Sequence, residues 1–137
     1  DSVNNIFIFF HELLWWSATN EFSAIEVNWL KEYNPNGNFW SDIHPILDSL
    51  ENDVYLIAGD LGATKTATPF MYHQQDNITY IASGMGGKII DNFILIDVEE
   101  DHSVGFRHYS FSKDGVELLP DLTSYKMPPP RSPEIQE

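Results

Sequence analysis

Ile6-Phe7-Ile8-Phe9-Phe10-His11 decides the fold, together with its echo Val54-Tyr55-Leu56-Ile57-Ala58-Gly59-Asp60. The five apolar residues at 6–10 lack the polar alternation of a strand with one wet face, so they predict a strand covered on both sides. Residues 53–58 predict a second buried strand. Each run stops abruptly, one at His11 and the other at Gly59-Asp60, and the strand ends of open α/β sheets are where ligands and metals bind. With a helix between them, the two strands are expected to lie side by side and parallel, bringing His11 and Asp60 to one sheet edge.

That helix is expected to start near Asn38 or Ser41 and to run to about Leu50, with Phe39, Ile43, Ile46, Leu47 and Leu50 on one face. Pro45 is tolerated only in a first turn, which favours Ser41 as the cap. Before it, Trp15, Trp16, Phe22 and Trp29 stand among polar residues with no clean period, predicting a long, partly helical, aromatic-rich excursion that ends at the turn Asn34-Pro35-Asn36-Gly37. After Asp60 the period becomes two. Residues 70–75, 78–83, 93–98 and 104–111 are short runs rich in aromatic and β-branched side chains, predicting an antiparallel meander that completes the sheet, with a last short strand at 116–119. Residues 1–119 are assigned to one α/β domain, and 120–137, with Pro128-Pro129-Pro130 and Pro133, to an extended tail.

Composition narrows the partners. With 21 acidic residues against 7 basic ones, the net charge of −14 opposes binding to a nucleic-acid backbone or an anionic membrane. It is compatible with cation binding, and equally with a merely well-solvated surface. The absence of cysteine excludes disulfides, thiolate metal sites and cysteine nucleophiles. No run approaches the ~20 apolar residues that span a bilayer, which predicts a soluble chain of undetermined compartment. The chain opens at Asp1 and enters a core strand within a few residues, so a processed or truncated piece is expected, with an edge strand or apolar face left open to self-association.

The order strand, histidine, helix, strand, Gly-polar, and then a meander containing Ser83-Gly84-Met85-Gly86-Gly87 resembles the C-terminal part of the calcineurin-like metallophosphoesterases, over roughly 6–111. The resemblance implies part of a two-sheet sandwich flanked by helices, in which manganese, iron or zinc ions at the strand ends assist the hydrolysis of a phosphate ester. It implies that His11, followed by Trp15 and Trp16, is a metal ligand. The family's Gly-His-x-His word is degenerate here: in Gly59-Asp60-Leu61-Gly62, Asp60 takes the first histidine's place and Gly62 the second's. An aspartate oxygen can replace an imidazole nitrogen on these metals, whereas glycine offers no ligand. The family's further words, Asp-x-His, Gly-Asp-x-x-Asp and Gly-Asn-His, belong upstream of His11 and are not in this chain. The expected activity is therefore a metal-dependent phosphoesterase only where those words are supplied; the alternative is a non-catalytic binding or assembly module on the same scaffold.

Each candidate also has an ordinary structural role open to it. His11 can serve a loop backbone, and Asp60 can cap a turn. Glu12 can orient His11 or remain a solvated acid, while Gly59 and Gly84 can let the chain pass close to the site or contact substrate. The tryptophans can stack on sugars or fill the core, and burial is favoured by the apolar area of each ring. His44, His73, His102 and His108 have no metal-like spacing and are assigned structural or exposed positions. Ser83 lies in no nucleophile elbow, and the glycine run around Lys88 lacks the spacing of a nucleotide loop.

Overall fold

The computed structural model describes residues 3–27, 37–62, 70–84, 91–112 and 114–129. Over the described residues the chain is mixed α/β and mostly strand, with two sheets and one α-helix. The first sheet contains β1 (Asn5–Phe10), β2 (Asp53–Ala58), β3 (Phe70–Gln75) and β4 (Ile78–Ser83), in the order β1-β2-β4-β3. Its first three members in that order are parallel, and β3 closes it as an antiparallel hairpin on β4. The second sheet is an antiparallel meander of β5 (Asn92–Val98), β6 (Val104–Ser112) and β7 (Gly115–Leu118). The expected single meander is thus divided. Its first hairpin joins the parallel strands, and its remaining strands form a separate layer.

Alternation along the strands explains why the layers stack. Val54, Leu56 and Ala58 of β2, Ile78, Tyr80 and Ala82 of β4, and Met71 of β3 share one face and build the main core with Leu13, Trp15, Phe22, Ile25 and Leu47. The opposite face presents Tyr55, Ile57, Phe70, Tyr72 and Ile81. There Tyr55 meets Phe106 of β6 at 5.7 Å between ring centroids, and Phe70 meets His108 at 4.4 Å. Two-sided coverage therefore holds for the central strands. It does not hold for β1, which is an edge strand, with Phe9 66% exposed.

Over 11–27 the aromatic-rich, partly helical segment that follows β1 lies on the main core. Its only helical turn among the described residues is the 3-10 turn Glu21–Ala24. Asn20 organises that turn: its side-chain oxygen accepts from the Phe22 amide at 3.0 Å, and its Nδ2 donates to the Trp15 carbonyl at 2.8 Å. The Trp40 indole N–H donates to the same carbonyl at 3.0 Å, and Trp16 donates to Ile25 O at 3.0 Å. Trp15 is fully buried, so its ring faces are unavailable for stacking on a sugar. Trp29 and the turn at 34–36 lie outside the described residues.

The helix expected to start near Asn38 or Ser41 and to run to about Leu50 starts after Asn38 and ends at Asp48. A π-helical turn, Phe39–Ile43, precedes α1 (His44–Asp48), and Ser41 caps nothing: its hydroxyl donates to Asn38 O at 3.3 Å. Pro45 explains the break, since it has no N–H to give to a preceding turn and sits instead in the first turn of α1, where none is needed. The far end is closed from another element. Asn77, in the β3–β4 turn, directs its Nδ2 at the carbonyls of Leu47, Leu50 and Asn52 at 3.0, 3.1 and 3.0 Å.

The proline-rich stretch does not leave the body at Pro120. Leu122 is fully buried, in a 3-10 turn (Leu122–Ser124) capped by Asp121, and packs with Phe70 and Ile81 in a second, smaller core. Tyr125 and Met127 also lie against the core. Residues 130–137 lie outside the described residues.

Candidate functional site

Parallel pairing of β1 with β2, in register from Asn5↔Asp53 to Phe10↔Ala58, brings the two strand ends together. The backbone joins them directly. Both Gly59 N–H and Asp60 N–H donate to His11 O, at 3.1 and 3.0 Å. His11 Nε2 then lies 3.9 Å from Asp60 Oδ1, at the limit of an ion pair. The two side chains stand in opposite surroundings: His11 is 80% exposed, whereas Asp60 is 7% exposed.

Asp60 is held on three sides. Besides its bond to His11 O, it forms an isolated antiparallel bridge with Gly84, just past the end of β4, and the neighbouring Leu61 bridges Val27. Gly62 then donates to Glu26 O at 2.6 Å. A Cβ at position 62 would come within 2.9 Å of that oxygen and 3.2 Å of the Glu26 carbonyl carbon, so the absence of a side chain there is a packing requirement. Gly59 has no such neighbour. Glu12 is exposed and lines a cleft of about 130 Å3 with Leu14, Trp16, Phe39 and Ile43. A larger polar cleft, about 650 Å3, lies at the other end of the strands, beside Asn5, Glu51, Asp53, Asp101 and His102.

The second sheet reaches this edge through two residues whose part the sequence did not disclose. Asn92, at the start of β5, is 2% exposed and donates from Nδ2 to Gly84 O at 3.2 Å. Its Oδ1 is 2.9 Å from His108 Nε2. Since the Asn92 amide nitrogen faces a carbonyl, its oxygen is an acceptor, so His108 carries its proton on Nε2. His108 is 1% exposed, and burial pushes its pKa down to about 4, leaving a neutral ring. Of the two positions open to it, structural or exposed, it takes the structural one. The available signal was the alternation of β6, which sets His108 on the same face as Val104 and Phe106.

Among the described residues no group of three or more histidine, aspartate or glutamate side chains could hold a metal ion. His11 and Asp60 supply two donors, and position 62 is closed to a third by the Glu26 backbone. The described residues therefore do not by themselves fit a two-metal centre, which needs several convergent ligands. The remainder of the Gly84 loop, including Met85, Gly86, Gly87 and Lys88, lies outside the described residues. No protein-family model, no curated protein and no solved structure matches this chain. Among the described residues no helix is long and apolar enough to cross a membrane.

Proposed function

We propose that this chain forms part of a metal-dependent phosphoesterase-type core, in which His11 and Asp60 face a divalent cation whose other ligands lie outside these residues. The observation that carries the reading is the 3.9 Å approach of His11 Nε2 to Asp60 Oδ1 at the shared edge of two adjacent parallel strands. An imidazole nitrogen and a carboxylate oxygen are a donor pair suited to manganese, iron or zinc. Asp60, buried and anchored through its backbone, holds its carboxylate in place, while the exposed His11 ring is free to turn toward a ligand. A phosphate ester is the substrate class that the family resemblance implies. With two donors, the chain by itself is expected to bind Mn2+ weakly and to leave bis(p-nitrophenyl) phosphate unhydrolysed.

Gly62 favours a second reading, a binding or assembly module that uses the scaffold without metal. Titration with Mn2+, followed by paramagnetic broadening of the His11 ring protons in NMR, separates the two. Broadening centred on His11 and residues 59–60, and lost in Asp60→Asn, supports the cation edge. A His11 signal no more affected than those of the exposed His102 would remove it and leave the assembly module.

A further inference from the structure

We propose that Asn92 and His108 are positioning residues for Asp60, acting through the Gly84 carbonyl. The inference rests on geometry and deepens the reading of the His11–Asp60 edge without depending on any metal.

Asp60 has two neighbours in the sheet direction: His11 O on the β1 side and Gly84 on the β4 side. β4 ends at Ser83, so Gly84 lies beyond the regular ladder that fixes the strand. Beyond its bridge to Asp60, it is held by a side chain from the other sheet. Asn92 Nδ2 donates to Gly84 O, and the Asn92 amide is itself kept from turning over by His108 Nε2–H on its oxygen. Rotation of that amide would place its oxygen against the Gly84 carbonyl and its NH2 group against an N–H, turning both hydrogen bonds into repulsions. The imidazole cannot swing away, because it is packed edge-on to Phe70 at 4.4 Å and closed from water.

The relay therefore runs from His108 in the middle of β6, through Asn92 at the head of β5, to Gly84 and Asp60. Besides their apolar contacts and the Asn5 Nδ2–His102 O bond at the far end of the strands, the two layers are thereby joined by polar, directional bonds next to the candidate site. Buried hydrogen bonds of this kind constrain geometry more than they add net stability. A partner sheet that only needed an apolar face would not require an asparagine and a histidine there, both at least nine-tenths buried.

The test is residue-resolved hydrogen exchange on the whole chain, comparing the amides of Gly59 and Asp60, which both bond to His11 O, with those of Val54 and Leu56 in β2. In Asn92→Ala the Gly59 and Asp60 amides should exchange roughly tenfold faster relative to the β2 amides, the loss expected of one buried hydrogen bond. His108→Gln, whose side-chain nitrogen can still donate to Asn92 Oδ1, should restore most of the protection that His108→Leu removes. Equal acceleration at all four amides would reduce the pair to general packing and overturn the proposal, as would unchanged exchange at Asp60. If Asn92→Ala does not fold, the comparison of the glutamine and leucine variants at position 108 decides it. Because no cation enters the measurement, failure here is distinct from failure of the Mn2+ titration.

Discussion

His11 and Asp60 lie just past the C-terminal ends of the adjacent parallel strands β1 and β2. Their side chains come within 3.9 Å, but only the aspartate is buried, and its amide is already committed to the His11 carbonyl. The relationship is consequently backbone first and side chain second. A substitution that preserves the shape of Asp60, such as asparagine, should keep the strand ends together, because their joining bonds come from main-chain groups. The imidazole contributes almost no packing, so His11 can be changed with little effect on the fold, and a loss of ligand binding on its substitution can be attributed to chemistry.

Gly62→Ala should destabilise the chain by about 1–3 kcal/mol, the usual range for overpacking. The obstruction is backbone, Glu26 O at 2.9 Å and the Glu26 carbonyl carbon at 3.2 Å, and cannot rotate away as a side-chain tip could. Gly62→His, which would supply the second histidine that the resemblance calls for, should be worse still and should gain no Mn2+ affinity. Urea midpoints for both variants check the first statement; Mn2+ titration of the histidine variant checks the second.

The elements that the sequence made plain are those dictated by short-range pattern. The two strand ends, the β3–β4 hairpin and the second meander follow from apolar runs and turn residues, and the meeting of His11 and Asp60 follows from them. What stayed hidden depends on distant partners. Asn92 looks like an ordinary strand-entry residue until β5 and β6 are placed against Gly84. Gly62 looks like a missing ligand until Glu26 is seen beside it. Leu122 looked like part of a tail because prolines surround it, although a single leucine with a pocket between Phe70 and Ile81 is enough to bring the chain back. The helix ends at Asp48 although its apolar spacing runs on to Leu50, because Asn77 from another element takes the carbonyls of Leu47 and Leu50, and Pro45 divides it into a π-helical turn and α1.

His108 gives a pH dependence of definite sign. Its pKa lies at about 4 in the folded chain against 6.5 for an unperturbed imidazole, so between these values the unfolded chain binds the additional proton. Stability from this residue is complete above pH 6.5 and falls as the pH drops toward 4, by on the order of 3 kcal/mol across the window. Acidification also relieves repulsion within a chain of net charge −14, which acts in the opposite direction, so the raw curve mixes both. His108→Gln removes only the titrating group. Its urea midpoint should lose less than the parent's between neutrality and the lower end of the window; parallel curves would show that His108 does not titrate as its burial dictates.

Leu122→Ala should cost about 2–5 kcal/mol, as expected for a fully buried leucine. The same substitution at the exposed Leu118, in β7, should cost much less. Paired thermal melts make the comparison, and near-equal effects would return the segment after Pro120 to the status of a loosely attached tail.

The free edge of β1 should make association depend on salt. No strand among the described residues pairs with that edge, and Phe9 beside it is 66% exposed, with Val3 and Leu14 also open to water at 68% and 49%. An apolar edge of this kind is a template for strand pairing with another copy. Opposing it is the net charge of −14, whose repulsion between copies is long-ranged at low ionic strength and screened within about 8 Å at physiological salt. Sedimentation should therefore show monomer at low salt and concentration-dependent association as salt rises, the reverse of an interaction held by ion pairs. Phe9→Lys should suppress that association by adding a charge on the strand while leaving its main-chain ladder with β2 intact. Association that weakens with salt, or is indifferent to Phe9→Lys, would show that the contact lies elsewhere on the molecule.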